Sequence, residues 1–358
     1  MTEAGAFGRV RAAEVVLPCA DLEPCLDLFG ALGFRIEAIS PADAPRAASL
    51  SGHGLRLRLE PGPGAPGELR LLVEGPSRAP ITAPNGTRIV FAPAEPDIPG
   101  GAFRPRFVFA PAAEGASPGR AGLLYRDLIP DRLGGRYIAS HIIAPQGGPV
   151  ADWVHFHRLD AQLIACRSGW TRLVYEDQGE PFLFAAGDVL LQPPTIRHRV
   201  LETSPGFAVV EIASPAVHDT LADHDLSLPT DRLEPNRVYG GQRFSLSRLS
   251  EAVWRPFGTG GFEASGAGLS SPSGGRIEAR RLRIAAPGSS LSLEPHQGEL
   301  LLGYVFAGRS RLLIGDGFDL AADDAFVIPP GEPWGLSEAA AGFELLLVAA
   351  PAVYPISE

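Results

Sequence analysis

The sequence predicts a mainly β fold: two tandem jelly-roll barrels preceded by a small α+β module of order β-α-β-β-β. Three observations predict it. Short Val/Leu/Ile runs alternate with turn formers along the whole chain, which holds 42 Gly and 35 Pro in 358 residues. That is the pattern of short strands joined by tight turns. A succession of such strands over residues 136–215 returns over residues 239–351, and self-similarity on that scale signals a duplicated architecture. A clear amphipathic-helix spacing occurs near the N-terminus.

The first module spans residues 1–76. Residues 12–17 read as a strand. Asp21 is placed to cap a helix over 22–32, with Leu22, Cys25, Leu26, Phe29 and Leu32 on one face and Gly33 at its end. Short strands follow at 35–39, 47–50, 55–59 and 69–73. Residues 77–135 form a Pro/Gly-rich connection, read as ordered because apolar residues recur through it. The first barrel covers 136–238, with eight short strands and no helix between them. The second covers 239–358. Gly288…Glu294-Pro-His296 parallels Gly148…His155-Phe-His157, and Gly303…Gly308 parallels Leu163…Gly169. Asp324-Ala-Phe-Val-Ile-Pro-Pro-Gly-Glu-Pro-Trp334 parallels Asp188-Val-Leu-Leu-Gln-Pro-Pro-Thr-Ile-Arg-His198.

Composition bounds the function. The net charge of −10 and pI near 5.4 exclude a general nucleic-acid binder. No apolar run reaches the roughly 18 residues of a membrane span, and Met1–Arg11 carries no secretory core. Three cysteines, Cys19, Cys25 and Cys166, do not make a disulfide framework. A cytoplasmic protein is expected. All 31 basic residues are Arg, a coding bias rather than a functional signal.

The chemistry centres on Trp153-Val-His155-Phe-His157-Arg-Leu-Asp-Ala-Gln162. Residues i and i+2 of a strand face the same side, so His155 and His157 point into one cavity. Gln162 returns to it after a turn, and His198 ends a later strand-like run. These four read as ligands of one divalent metal. By the same parity Trp153, Ile164 and Cys166 share the cavity wall. His141, on the preceding strand, is an acid–base candidate if it faces the cavity. Tyr175 is the other catalytic candidate; Tyr175, Arg197 and Arg199 are candidates to bind an anion, against the plainer reading of two solvated arginines flanking a turn. Cys166 reads as a small core residue rather than a nucleophile.

Both repeats resemble the cupin superfamily, so the C-terminal two thirds looks like a bicupin, two double-stranded β-helix barrels in one chain. The first motif of that family stands as Gly148…His155-Phe-His157-(four)-Gln162-(six)-Gly169, and the second as Gly187-(five)-Pro193-Pro-Thr195-(two)-His198. Gln162 replaces a family Glu, and Thr195 a family Gly. In the second repeat Glu294 and His296 occupy the His-x-His places and Trp334 the last His. An indole does not ligate a metal, so that site is expected to be degenerate. Glu14-Val-Val-Leu-Pro-Cys-Ala-Asp21 and Leu28-Phe-Gly-Ala-Leu-Gly-Phe34 resemble one module of the glyoxalase/vicinal-oxygen-chelate family. Glu14 and Glu74 fall near its ligand positions, and a structural or dimerising role is the plainer expectation.

The resemblance implies one Fe, Mn, Ni or Zn ion in the first barrel and a small-molecule substrate. Without the usual carboxylate the centre stays near +2, which favours an enolate, a β-diketone or a hydroxy acid. A dioxygenase is the first expectation, followed by an isomerase or lyase of sugar-acid type. A metal- or ligand-binding sensor without catalysis is the alternative from another class. A homodimer through barrel edges is possible, unless the two repeats satisfy each other within the chain.

Overall fold

A computed structural model describes residues 13–41, 45–74, 78–94, 101–119 and 122–352. The expectations for Met1–Arg11 and for a boundary at residue 76 lie outside the described residues. The chain divides into two compact units, 1–97 and 98–358.

In the first unit the strand Val15–Pro18 is followed by the helix Leu22–Ala31 and the strands Arg35–Ser40, Ala47–Gly52 and Leu55–Glu60. They make one four-stranded sheet in which the first and last strands are parallel neighbours. The helix buries Leu22, Cys25 and Phe29, as its spacing predicts. Asp21 precedes it in extended conformation without a side-chain cap bond. Gly33 ends it at φ +92°, a left-handed conformation that a side chain would strain. The strand Glu68–Val73 leaves this sheet and pairs in parallel with Arg88–Pro93. That pairing is why the first unit runs to 97: part of the expected connection belongs to its second sheet. Glu14 lies 3.5 Å from Arg56 in an ion pair.

In the second unit each repeat is two facing sheets rather than one closed barrel. The first repeat has a seven-stranded sheet containing Ile138–Ala144, Ala161–Ser168, Val189–Leu191 and Phe207–Ser214. Its smaller sheet holds His155–His157, Trp170–Tyr175, Phe182–Ala185 and His198–Thr203. The second repeat reproduces these ladders with Glu278–Ile284, Leu300–Ala307, Ala325–Val327 and Glu344–Ala350 opposite Ser289–Leu293, Arg309–Leu313, Phe318–Ala321 and Trp334–Ala339. Each large sheet borrows an edge strand from outside its own repeat. Ser245–Ser247 adds to Val189–Leu191, and Val108–Ala110 adds to Ala325–Val327. Both edges are thereby covered.

The two large sheets share a core in which Leu163, Ala165 and Val210 meet Leu302, Tyr304 and Leu346. The central strands Ala161–Ser168, Phe207–Ser214, Leu300–Ala307 and Glu344–Ala350 are therefore largely buried on both faces. The repeat glycines have a steric reason. At Gly169 a Cβ would lie 2.3 Å from Ser204 Oγ, and at Gly308 2.6 Å from Phe343 Cα. No helix among the described residues is long and apolar enough to cross a membrane.

Candidate metal centre

His155, His157 and His198 bring one ligand atom each to within 4.8 Å of one another. Among the described residues this is the only group of three or more His, Cys, Asp or Glu placed to hold a metal. His155 and His198 are directly opposite in the ladder, with ring centroids 4.2 Å apart. His157 sits 5.4 Å from each of them, ring to ring.

Backbone carbonyls orient the rings. His155 Nδ1 lies 2.8 Å from the Trp153 carbonyl and 3.5 Å from the buried Asp152 carboxylate. His198 Nδ1 lies 3.0 Å from the Ile196 carbonyl, and His157 Nδ1 3.3 Å from that of Asp219. A ring that donates Nδ1–H keeps its lone pair on Nε2, the arrangement of a metal-ligating imidazole. The loop before His198 is held under strain. Thr195 takes φ +65°, unfavourable for a β-branched residue, while its N–H donates to the His157 carbonyl at 2.8 Å. The corresponding residue in the second repeat is Gly331, at φ +84°. The donor set and the fixed tautomers fit a divalent transition metal.

The rings open onto a cavity of about 110 Å3 inside the first repeat. Most of its wall is apolar, with Leu123, Ile142, Ile164, Leu173, Val200 and Val209 among the lining residues. The polar exceptions are connected. Gln162 is buried on the wall, and its Oε1 accepts from Gln192 Nε2 at 2.8 Å. The same Gln192 amide lies 3.2 Å from His198 Nε2, and its Oε1 accepts from the Tyr175 hydroxyl at 2.7 Å. Burial pushes the Tyr175 phenol far above its ordinary acidity range, and the Glu211 charge adds to the shift. Glu211 also lines the cavity. Gln192 and Glu211 are the two residues that sequence reasoning missed.

Several expected wall residues lie elsewhere. Ile142, not His141, faces the cavity. His141 points to the contact between the repeats, where its Nδ1 lies 3.2 Å from the Tyr304 hydroxyl. Trp153 precedes the three-residue strand and is 38% exposed, stacked edge-on against His155. Arg197 turns outward, 3.0 Å from Asp223 and 4.1 Å above the Phe156 ring. Cys166 shares the interior face but lies beyond the cavity in the core, where burial pushes its thiol up to about 12. A thiol held that far from ionisation is inert as a nucleophile at neutral pH.

His141 has a measurable role in stability. Burial first, then Arg126, lowers its pKa to about 4, partly opposed by Asp323. An unfolded chain protonates this imidazole near pH 6.5; the folded one resists until about pH 4. The unfolded state therefore binds the extra proton between these values, and stability is lost as pH falls through that window. A shift of this size corresponds to at most about 3 kcal/mol. The urea-unfolding free energy of the metal-free protein should fall more steeply from pH 6.5 to 4 than that of a His141→Gln variant. Parallel curves would remove His141 from the account.

In the second repeat Leu293, not Glu294, pairs with Trp334 as His155 pairs with His198. The expected equivalence of Glu294 and His296 to the His pair is thus one residue out of register. His296 is buried, and its Nε2 lies 2.8 Å from the Ile328 carbonyl. The ladders also match Gln162 to Leu301, Glu211 to Leu347 and Gln192 to Ile328. These three polar residues of the first interior thus have apolar counterparts in the second.

No protein-family model and no curated protein matches the sequence. Solved structures do. Two substituted forms of oxalate decarboxylase from Bacillus subtilis superpose with TM-scores of 0.50 and 0.51 at 14% and 15% identity, each over 69% of this chain and 78% of that chain. A substituted salicylate 1,2-dioxygenase from Pseudoaminobacter salicylatoxidans covers 61% of this chain and 71% of its own at TM-score 0.45 and 17% identity. The likeness to the decarboxylase, at this identity, carries the fold and nothing finer: the chain has a mainly β, tandem cupin architecture.

Proposed function

We propose that the chain is a metal-dependent enzyme that oxidises a small molecule with O2, the substrate presenting two neighbouring oxygens on an apolar body. The observation that carries this reading is the His155–His157–His198 triad opening onto a mostly apolar cavity. A divalent transition metal held by the three imidazoles, iron before manganese, nickel or zinc, would supply Lewis acidity and open coordination positions for two substrate oxygens. The chain's own residues do the rest. Gln192 holds the Gln162 amide in place and is itself held by Tyr175, so the wall beside the triad is preorganised. On this reading Gln162 would serve as a fourth ligand or as a positioning group beside the metal. The apolar wall excludes water and strengthens electrostatic interactions inside.

The isomerase or lyase of sugar-acid type stays as the alternative to this reading, and oxygen uptake separates the two. The N-terminal module is read as structural: Glu14 is paired with Arg56 and joins no metal-holding group among the described residues. Because the large sheets of the two repeats already bury each other, a homodimer is not needed to cover them.

The test is oxygen consumption by Fe(II)-loaded protein with 2,4-pentanedione, catechol and related chelators. Consumption that depends on both substrate and metal is expected. Substrate turnover with no oxygen uptake would replace this reading by the isomerase or lyase one. Metal and ligand binding with no turnover would leave a sensor.

A further inference from the structure

Tyr175, Gln192 and Gln162 form one buried chain of hydrogen bonds beside the triad, and its direction can be read from both ends. At one end burial keeps the Tyr175 phenol protonated, so its hydroxyl donates. Among the described residues the one partner of that hydroxyl is Gln192 Oε1, at 2.7 Å. At the other end His198 Nδ1 lies 3.0 Å from the Ile196 carbonyl and so carries the ring proton. His198 Nε2 is then an acceptor, and the Gln192 group 3.2 Å from it is the amide nitrogen. Both ends give Gln192 the same orientation. Its Nε2 therefore meets the oxygen of Gln162, at 2.8 Å. Turning both amides over would leave the buried phenol without an acceptor, which folded interiors seldom tolerate.

Gln162 thus has its oxygen engaged, while its two N–H donors stand on the wall of the cavity that the imidazoles share. The side chain is 1% exposed, so solvent does not satisfy them. Coordination through the second lone pair of that oxygen would still leave the nitrogen unpaired, at the cost of a buried donor. An acceptor arriving in the cavity satisfies both ends of the amide. The second repeat has Leu301 and Ile328 at the places of Gln162 and Gln192, so the architecture does not require the pair.

We infer that Gln162 is a hydrogen-bond donor to an anionic substrate oxygen, an enolate or a deprotonated hydroxyl, held beside the triad, and not a fourth ligand. Tyr175 and Gln192 are positioning residues that fix the amide before the charge arrives. This rests on the metal-dependent reading of the same cavity. A ligand that offers no acceptor once bound gains nothing from the donor, so the site selects for oxygen anions.

The experiment uses Co(II)-loaded full-length protein, with cobalt affinity measured by dialysis and ligand binding read from the visible spectrum. Acetohydroxamate, an anion that chelates through two oxygens, is the probe; imidazole, which offers no acceptor once bound, is the control. Gln162→Leu, which installs the residue of the second repeat, should keep its cobalt with nearly unchanged affinity. Its acetohydroxamate affinity should fall about tenfold or more, the scale of a hydrogen bond to a charged group, with imidazole affinity nearly unchanged. Tyr175→Phe should keep its cobalt and weaken acetohydroxamate in the same direction, because Gln192 loses the hydroxyl that fixes it. A cobalt affinity about tenfold or more lower in Gln162→Leu would make Gln162 a ligand and overturn the inference. Equal losses for both probes, or no loss, would overturn it as well, as would unchanged acetohydroxamate affinity in Tyr175→Phe. Wild-type protein that binds no cobalt would overturn the metal centre itself, and this inference with it.

Discussion

A His155→Ala/His198→Ala double variant should carry less than a tenth of an equivalent of divalent metal where the parent carries one per chain. The two rings are directly opposite on neighbouring strands, with centroids 4.2 Å apart, so together they hold two of the three imidazole positions. Removing a group that only orients a ligand already lowers metal affinity about 10- to 100-fold. Removing two ligands exceeds that. The fold should survive, because the second repeat builds the same ladders over Leu293 and Trp334. The measurement is elemental analysis after reconstitution, beside urea unfolding of both metal-free proteins. A double variant that keeps one equivalent would refute the ligand set. One that loses metal only because it fails to fold would show itself in the unfolding curve.

The repeat and the triad were legible in the sequence because they rest on local spacing. His155 and His157 share a face by strand parity, and the run from Asp188 fixes where His198 must return. The rest depended on which face of a strand is inside, and parity alone does not say. His141 and Ile142 both sit on a strand buried on two faces, between the cavity and the sheet of the other repeat, so the pattern carries no solvent side to orient it. Trp153 lies before a strand of three residues, and parity does not extend past a strand's end. Glu211 sits in Phe-Ala-Val-Val-Glu-Ile-Ala-Ser, where a lone acid reads as a solvent-facing residue on an edge. Gln192 is hidden between leucines and prolines. The signal for both was present in the duplication: comparison with Leu347 and Ile328 marks them as polar positions that the architecture itself does not require. The same comparison explains why Glu294 and His296 misled. The repeat aligns by sequence at Pro and His, and by hydrogen-bonded register one residue earlier.

Trp334→Ala should destabilise the protein by about 3–5 kcal/mol, the range for deleting a large buried aromatic side chain, and leave its metal content unchanged. Trp334 is 3% exposed, with its ring 5.9 Å from Phe326 in the core of the second repeat. It occupies the ladder position that His198 holds in the first. The interior that is a cavity around the triad in one repeat is filled in the other by Phe257, Phe262, Phe326, Trp334 and Phe343. On the proposed reading the two halves divide the work: one interior would bind, and the other contributes burial. For a domain of this size the loss corresponds to a melting temperature lower by on the order of 10 °C. A second substitution separates packing from polarity. The Trp334 Nε1–H is buried without a hydrogen-bond partner, so Trp334→Phe keeps most of the ring contacts and removes an unsatisfied donor. Its cost should stay below about 1.5 kcal/mol. Calorimetric melting of the two variants, with metal analysis alongside, checks both halves of the claim. Loss of metal from Trp334→Ala in a folded protein would mean that the second repeat takes part in the centre, and the division of labour between the repeats would have to be abandoned.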